Sequence, residues 1–286
     1  MAISASQIFE QLAKAVWERI QLGENLGCRQ GEETITDINI LDLKRAGICE
    51  VSIPKINKAT ESETGIDWEW WIGSDQKGWW RYAVQAKKIQ TKKGNKDQIY
   101  SKLRHKVGKS PTSQFQIDIL ETYAQGHNCI PLYCLYNFID DNNLQQYWRC
   151  CNLTYDKFQF GCTVVPIDVI RKALNTRGKK TFQSVHSHKS ALPWRCLVTC
   201  PFILSIPQSG LHPLANGIYA NVYSYDTLSS LKKQKAEEEK AEEEARKKAR
   251  EKAREGNITD LSNDFYDRQL EFYPKRTLIV NVDDEA

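Results

Sequence analysis

The sequence predicts an α/β domain. Apolar residues at helical spacing, two alternating runs joined by a turn, and a later helix leading into an apolar strand predict it. Residues 5 to 22 place Ile8, Leu12, Ala15, Val16 and Ile20 on one helical stripe. Gly31 reads as the N-cap of a second helix running to about Arg45. Glu32 and Glu33 fall in its first turn, where carboxylates suit the positive end of the helix dipole. Glu50-Val51-Ser52-Ile53-Pro54 alternates like an edge strand, where a proline is tolerated. The runs 65–72 and 79–87 flank Gly73-Ser74-Asp75-Gln76-Lys77-Gly78, which has turn composition, so they read as a hairpin. Residues 112 to 125 read as a helix through Phe115, Ile119, Leu120 and Tyr123, and Cys129 to Phe138 as a buried strand. The order is helix, three strands, helix, strand. Further on, a helix is expected after Pro166 to Leu174, and a strand from Leu197 to Leu204.

The hairpin carries the chemistry. Centred on Gln76, it sets Asp67 opposite Gln85. Side chains alternate faces along a strand, so Trp68, Trp70, Ile72, Trp80, Tyr82, Val84 and Ala86 share one apolar face. Asp67, Glu69, Arg81, Gln85 and Lys87 share the other, with Trp71 at the turn end. A carboxylate, an amide oxygen and an ammonium group therefore meet on one face. Carboxylate and carbonyl oxygens suit Mg²⁺ or Mn²⁺, and a lysine beside them suits phosphodiester hydrolysis. The same alternation describes an ordinary half-buried hairpin. Glu69 reads as a support for the site or an ion-pair partner of Arg81.

This arrangement resembles the PD-(D/E)XK nuclease superfamily. Asp67 matches its first acid, and Gln85-Ala86-Lys87 matches its second motif in a Q-x-K form. The strings Gly31-Glu32-Glu33-Thr34-Ile35-Thr36-Asp37, Gly65-Ile66-Asp67-Trp68-Glu69-Trp70-Trp71 and Pro131-Leu132-Tyr133-Cys134-Leu135-Tyr136-Asn137 look like an uncharacterised bacterial family within it. The resemblance is clearest over residues 5 to 140. It implies a restriction-endonuclease-like αβββαβ core with a central mixed sheet. It implies that Glu33, Asp67 and Gln85 ligate Mg²⁺ or Mn²⁺, with Lys87 positioning the attacking water. Glu32 competes with Glu33 for the helix acid, since one residue is a rotation of about 100°. Gln85 departs from the Asp or Glu of many members and supplies an oxygen without a charge.

Charge distribution adds a partner. The net charge of +4 does not by itself demand nucleic acid. Basic residues nevertheless crowd the hairpin and the segment after it, including Lys88, Lys92, Lys93, Lys102, Arg104 and Lys106. Such a patch is expected to hold the phosphate backbone of DNA. Met1 to Ser6 lack the features of a signal peptide, and no run approaches the roughly 18 apolar residues of a membrane span. A cytoplasmic protein is expected, with its nine cysteines as reduced thiols. Zinc is not expected, and His186-Ser187-His188 reads as a loop.

The C-terminal part divides from the rest. Residues 1–225 read as the nuclease-like domain, 226–256 as a charged helical arm ended by Gly256, and 257–286 as an end piece for docking or oligomerisation. Lys232 to Glu255 contains only Lys, Arg, Glu, Gln and Ala, with Glu242–Arg246, Glu243–Lys247 and Glu244–Lys248 at i,i+4. It lacks the leucines of a coiled coil. Thr277-Leu278-Ile279-Val280-Asn281-Val282 reads as a strand. The expected activity is metal-dependent DNA hydrolysis, with bacterial defence against phage or foreign DNA as its setting by analogy. A homodimer or a regulatory partner protein is expected to control it. The alternatives are a ribonuclease on the same scaffold and a non-catalytic binding or regulatory protein with a degenerate site.

Overall fold

The computed structural model describes residues 3–47, 50–52, 66–91, 98–107, 113–150, 153–176, 180–205, 211–215, 220–254 and 277–282. Two compact units divide the chain, Met1–Tyr223 with Pro274–Ala286, and Ser224–Tyr273.

In the first unit, helix α1 (Ala5–Asn25) opens with a capping box. The Ser4 hydroxyl accepts from the Gln7 N–H, and the Gln7 side chain accepts from the Ser4 N–H. Phe9, Leu12, Ala13, Val16 and Trp17 bury its apolar stripe. Helix α2 (Glu32–Ala46) follows N-cap Gly31 and stops at Gly47, whose φ of 69° is left-handed. Strands β1 (Glu50–Ser52), β2 (Trp68–Ser74) and β3 (Gly78–Lys88) come next. Two small antiparallel pairs precede the next helix, β4 (Gln90–Thr91) with β5 (Gln98–Ile99), and β6 (Lys106–Val107) with β7 (Gln114–Phe115). Helix α3 (Gln116–Gly126) then leads into β8 (Ile130–Tyr136), which runs parallel to β3. After β9 (Cys162–Pro166) come α4 (Ile167–Asn175), α5 (Phe182–His186), β10 (Leu192–Pro193), α6 (Cys196–Thr199), α7 (Pro201–Leu204) and β11 (Val222–Tyr223). In the second unit, α8 (Tyr225–Arg254) is the charged helix. Gly256 and residues 257–276 lie outside the described residues. Strand β12 (Thr277–Asn281) belongs to the first unit.

Among the described residues, the central sheet has eight strands. Seven run in the order β1-β12-β2-β3-β8-β9-β10, and β11 pairs with the start of β3. The β12–β2 and β3–β8 pairs are parallel and the others antiparallel, so the sheet is mixed. The face carrying Trp70 and Tyr136 packs on α1 and α2. There Trp70 meets the Trp194 ring at 6.3 Å, and the Trp194 indole donates to the Phe9 carbonyl at 2.7 Å. On the same side Tyr136 and Thr36 of α2 share a hydrogen bond of 2.9 Å. The opposite face carries Arg81, which donates to the Tyr123 hydroxyl of α3.

The hairpin register matches the expectation. Pairs run from Trp68↔Val84 to Ser74↔Gly78, symmetric about Gln76. Strands β1, β2 and β3 follow one another along the chain as expected, but in the sheet β12 inserts between β1 and β2. Thr277, Leu278, Ile279 and Val280 are all buried, the pattern of an interior strand covered on both faces. This part of the end piece therefore docks on its own domain. Leu197 to Leu204 is not a strand but two short helices, the second with Pro201 at its first position, where a missing N–H costs nothing. His186 is the last residue of α5 rather than part of a loop, and it is fully buried.

Gly161 lies directly against the backbone of α1. A Cβ there would collide with the Ala13 carbonyl and stand 3.0 Å from the Trp17 nitrogen, both backbone atoms. Gly161→Ala should lower stability by about 2 kcal/mol, read as a drop in the thermal midpoint.

Two histidines make stability pH-dependent. His186 shares a hydrogen bond with the Thr163 hydroxyl through Nε2 and meets the Phe182 carbonyl through Nδ1. His212 accepts from the Leu214 N–H at Nδ1 and faces the Tyr82 hydroxyl at Nε2. Burial pushes both imidazoles down to about 3. The folded state thus prefers the neutral ring, while the unfolded chain protonates near pH 6.5. Their stabilisation is complete above pH 6.5 and is lost as the pH falls toward 3. Urea unfolding should show stability declining by about 1.4 kcal/mol per pH unit per histidine below 6.5. His186→Asn should flatten that slope between pH 6.5 and 4.5.

Candidate active site

The site lies where β3 ends. The β2–β3 ladder stops at Trp68, and the Asp67 N–H bonds the Val84 carbonyl at 2.9 Å. This turns the Asp67 carboxylate back onto β3. Its Oδ2 accepts from the Ala86 N–H at 2.7 Å and from the Gln85 side-chain amide. Gln85 Oε1 is buried and has no hydrogen-bond partner among the described residues. An acceptor of this kind carries a desolvation cost unless a cation or a water meets it.

Lys87 projects from the same face two residues on and stands 3.8 Å from Glu32 Oε1. Lys102, from the 3-10 turn Ser101–Arg104, reaches the same oxygen at 3.2 Å. Lys88 points to the other face and donates to the Gln30 carbonyl at 2.6 Å. Burial pulls its ammonium below the ordinary lysine range. Glu24 and Glu32 act against that pull, and Arg29 and Lys102 add to it. Four cationic side chains thus gather around two carboxylates. Glu24 is itself held by the Thr91 hydroxyl at 2.9 Å.

The structure pairs Asp67 with the Gln85 side chain and sets Lys87 and Lys102 against Glu32, while Lys88 lies on the other face against Gln30. It does not bring Glu33 to them: that side chain is exposed, and the helix acid that reaches Lys87 is Glu32. The first turn of α2 is entered at Gly31, and the rotation between adjacent residues turns Glu32 inward. Arg104 donates instead to the Leu174 carbonyl at 2.6 Å, and Lys106 covers the Phe115 ring at 4.7 Å. Lys92 and Lys93 lie outside the described residues. Sequence reasoning missed Arg29, Gln30 and Glu24, whose only signal is position: they bridge the end of α1 and the start of α2.

Burial grades across the site. Asp67 is 8% exposed, Gln85 1% and Lys87 4%, whereas Lys102 is exposed. Of Lys87, Glu32 and Lys102, the last meets solvent most fully, and Glu32 stands between the two lysines. Among the described residues, no group of three or more His, Cys, Asp or Glu side chains is placed to hold a metal ion. A divalent cation here would rest on Asp67 and the unpartnered Gln85 oxygen. That set is hard and oxygen-only, as Mg²⁺ requires, but it carries one carboxylate charge. Mg²⁺ is commonly held by one or two carboxylates, with water and substrate phosphate completing its shell, so the residues fit.

Glu69 takes no part in this group. Its carboxylate accepts from Arg81 Nη2 at 2.6 Å and from the Trp71 indole at 2.6 Å. Burial lowers the affinity of the Arg81 guanidinium for its proton, but Glu69, together with Tyr123 and Cys129, more than offsets it and holds the group above the usual arginine range.

A family model described as a family of unknown function, DUF6615, matches residues 5–270. The chain belongs to that family. No curated protein matches it. The family's matched span takes in α1, α2, the hairpin and β8, so every residue of the candidate site falls inside it. No helix among the described residues is long and apolar enough to cross a membrane.

The buried pair separates support from chemistry. Arg81→Met leaves Glu69 charged and uncompensated, and should cost about 3–5 kcal/mol in chemical denaturation. A loss below about 1 kcal/mol would show that the pair is not the buried lock described here.

Proposed function

We propose that this protein is a metal-dependent nuclease of the PD-(D/E)XK type, hydrolysing phosphodiester bonds in DNA. One observation carries the reading. Asp67, just before β2, is hydrogen-bonded to Gln85, whose amide oxygen lacks a partner among the described residues, and Lys87, two residues on along the same face of β3, stands against Glu32 at the start of α2. The chain order supports it: a helix, an edge strand, an antiparallel hairpin, then a helix and a strand parallel to the second arm. On this reading the order follows the αβββαβ plan, with β12 as an insertion.

The residues divide the work. Asp67 and Gln85 would hold Mg²⁺, or Mn²⁺. The bound ion would acidify a water and offset the charge of the scissile phosphate. Ala86 N–H fixes the Asp67 carboxylate, so its second oxygen keeps one orientation. Lys87 orients the attacking water or stabilises charge on the phosphate, and its near-complete burial strengthens that interaction. Lys88 and Lys102 add positive potential for the nucleic-acid backbone. The cytoplasm, a homodimer able to cut both strands, a regulatory partner protein and defence against foreign DNA make up the setting this reading takes from the resemblance.

A non-catalytic binding or regulatory protein is the second reading. The uncharged Gln85 and the depth of Asp67 and Lys87 favour it. On that reading, Asp67→Ala behaves like the parent in every functional assay.

Purified protein should cleave plasmid DNA with Mg²⁺ and not with EDTA. Lys87→Ala and Asp67→Ala should each lower the rate by about 100-fold or more while folding normally by circular dichroism. RNA digested alongside tests the ribonuclease alternative. Undiminished cleavage by Lys87→Ala would remove the assignment.

A further inference from the structure

We infer that Lys87 and Lys102 form a phosphate seat, and that Glu32 occupies it in the free protein as an internal stand-in for the substrate's phosphate. The inference rests on the nuclease reading for the identity of the ligand. It departs from that reading's expectation that the helix acid ligates the metal.

The geometry points this way. Glu32 directs a single oxygen, Oε1, at both ammonium groups, 3.8 Å from Lys87 and 3.2 Å from Lys102. The two lysines come from different elements, β3 and the 3-10 turn at Ser101–Arg104. Without an anion between them, two like charges this close would repel. A phosphodiester offers the same thing as a carboxylate: oxygens sharing one negative charge.

The surroundings favour an anion over a cation at this point. Arg29 and Lys88 add positive charge, against Glu24 and Glu32. Arg29, Lys87, Lys88 and Lys102 are set against Glu24 and Glu32, with Asp67 as the site's third carboxylate, so among these groups positive charges still outnumber negative ones with Glu32 seated. A metal ion placed against Glu32 would meet both lysines. The cation ligands Asp67 and Gln85 face each other instead.

Exposure shows how exchange would run. The Lys87 side chain is 5% exposed, Glu32 16% and Lys102 54%. Lys102 meets solvent and captures an arriving phosphate first. Glu32 then swings out from the first turn of α2, where the helix N-terminus tolerates its charge in either position. Lys87 passes from carboxylate to phosphate without losing an anionic partner. Glu32 thereby guards the seat against weak anions and keeps Lys87 aimed. It is a positioning residue that acts through the two lysines.

Equilibrium binding of a fluorescein-labelled single-stranded DNA oligonucleotide to the full chain in EDTA tests this without requiring catalysis. Glu32→Gln removes the competitor and should bind about fivefold more tightly than the parent, the scale of releasing one part-exposed ion pair. Glu33→Gln makes the same change in net charge one residue away, on an exposed side chain, and should leave affinity within about twofold. Lys102→Met should weaken binding, and adding it to Glu32→Gln should shrink the gain. Equal or weaker binding by Glu32→Gln, or an equal gain in Glu33→Gln, overturns the inference. If the parent still cleaves DNA with Mg²⁺, only the role of Glu32 falls. If the parent neither cleaves nor binds, the nuclease reading falls as well.

Discussion

The site depends on the register of one hairpin. Trp68 pairs with Val84, and one step further the Asp67 carboxylate closes on the Ala86 N–H and the Gln85 amide. Side chains alternate along both strands, so a slip of one residue would send Asp67 away from Gln85 and turn Trp68 and Trp70 out of the core. The tryptophans therefore fix the position of the polar group as firmly as any bond within it. Trp70 is wholly buried and packs against Trp194, whose indole is tied to α1. Through those contacts the first helix helps hold the hairpin in register.

Two charged systems lie on the polar face of that hairpin, and they differ in kind. Glu69 and Arg81 form a closed set. Arg81 has Glu69 and the Tyr123 hydroxyl, and Glu69 also receives the Trp71 indole. Removing ions from water is offset there by short contacts on both sides. At the far end the set is open. Among the described residues Gln85 Oε1 lacks a partner, and Lys87 meets Glu32 at 3.8 Å, too long for a hydrogen bond. A sheet that satisfies one buried charge pair and leaves its neighbour incomplete has a reason for the difference. A ligand that arrives later is such a reason, since local rules are most often broken where function needs it.

Much of this is legible in the sequence, for definite reasons. The hairpin is legible because Gly73 to Gly78 has the composition of a turn and the tryptophans set the alternation. Helix α2 is legible from Gly31 and its first-turn acids, and the ion pair of Glu69 with Arg81 from the shared face. The choice between Glu32 and Glu33 is not, because both satisfy the helix dipole and only packing against β3 sets the rotation. The insertion of β12 is not legible either. Its strand character shows in the run from Thr277, but its partners, Glu50 to Ser52 and Glu69 to Gly73, lie near the other end of the chain. Local pattern holds no record of such pairing. Leu197 to Leu204 misleads because a short apolar run fits a buried helix as well as a strand.

The glutamine at position 85 changes the electrostatics more than the geometry. An acid there would give a divalent cation two carboxylates and near neutrality before substrate arrives. With Gln85, Asp67 alone opposes the cation's charge, and the neighbouring Lys87 repels it. On the proposed reading, the missing negative charge comes from the scissile phosphate, which the lysines also attract. Metal and nucleic acid then each raise the other's affinity, because each supplies the charge the other lacks, and such coupling is reciprocal. On that reading the site would hold its metal weakly alone and firmly with substrate. The positive charges of Arg29, Lys88 and Lys102 fit the same proposal: they would recruit the anion on which the cation depends.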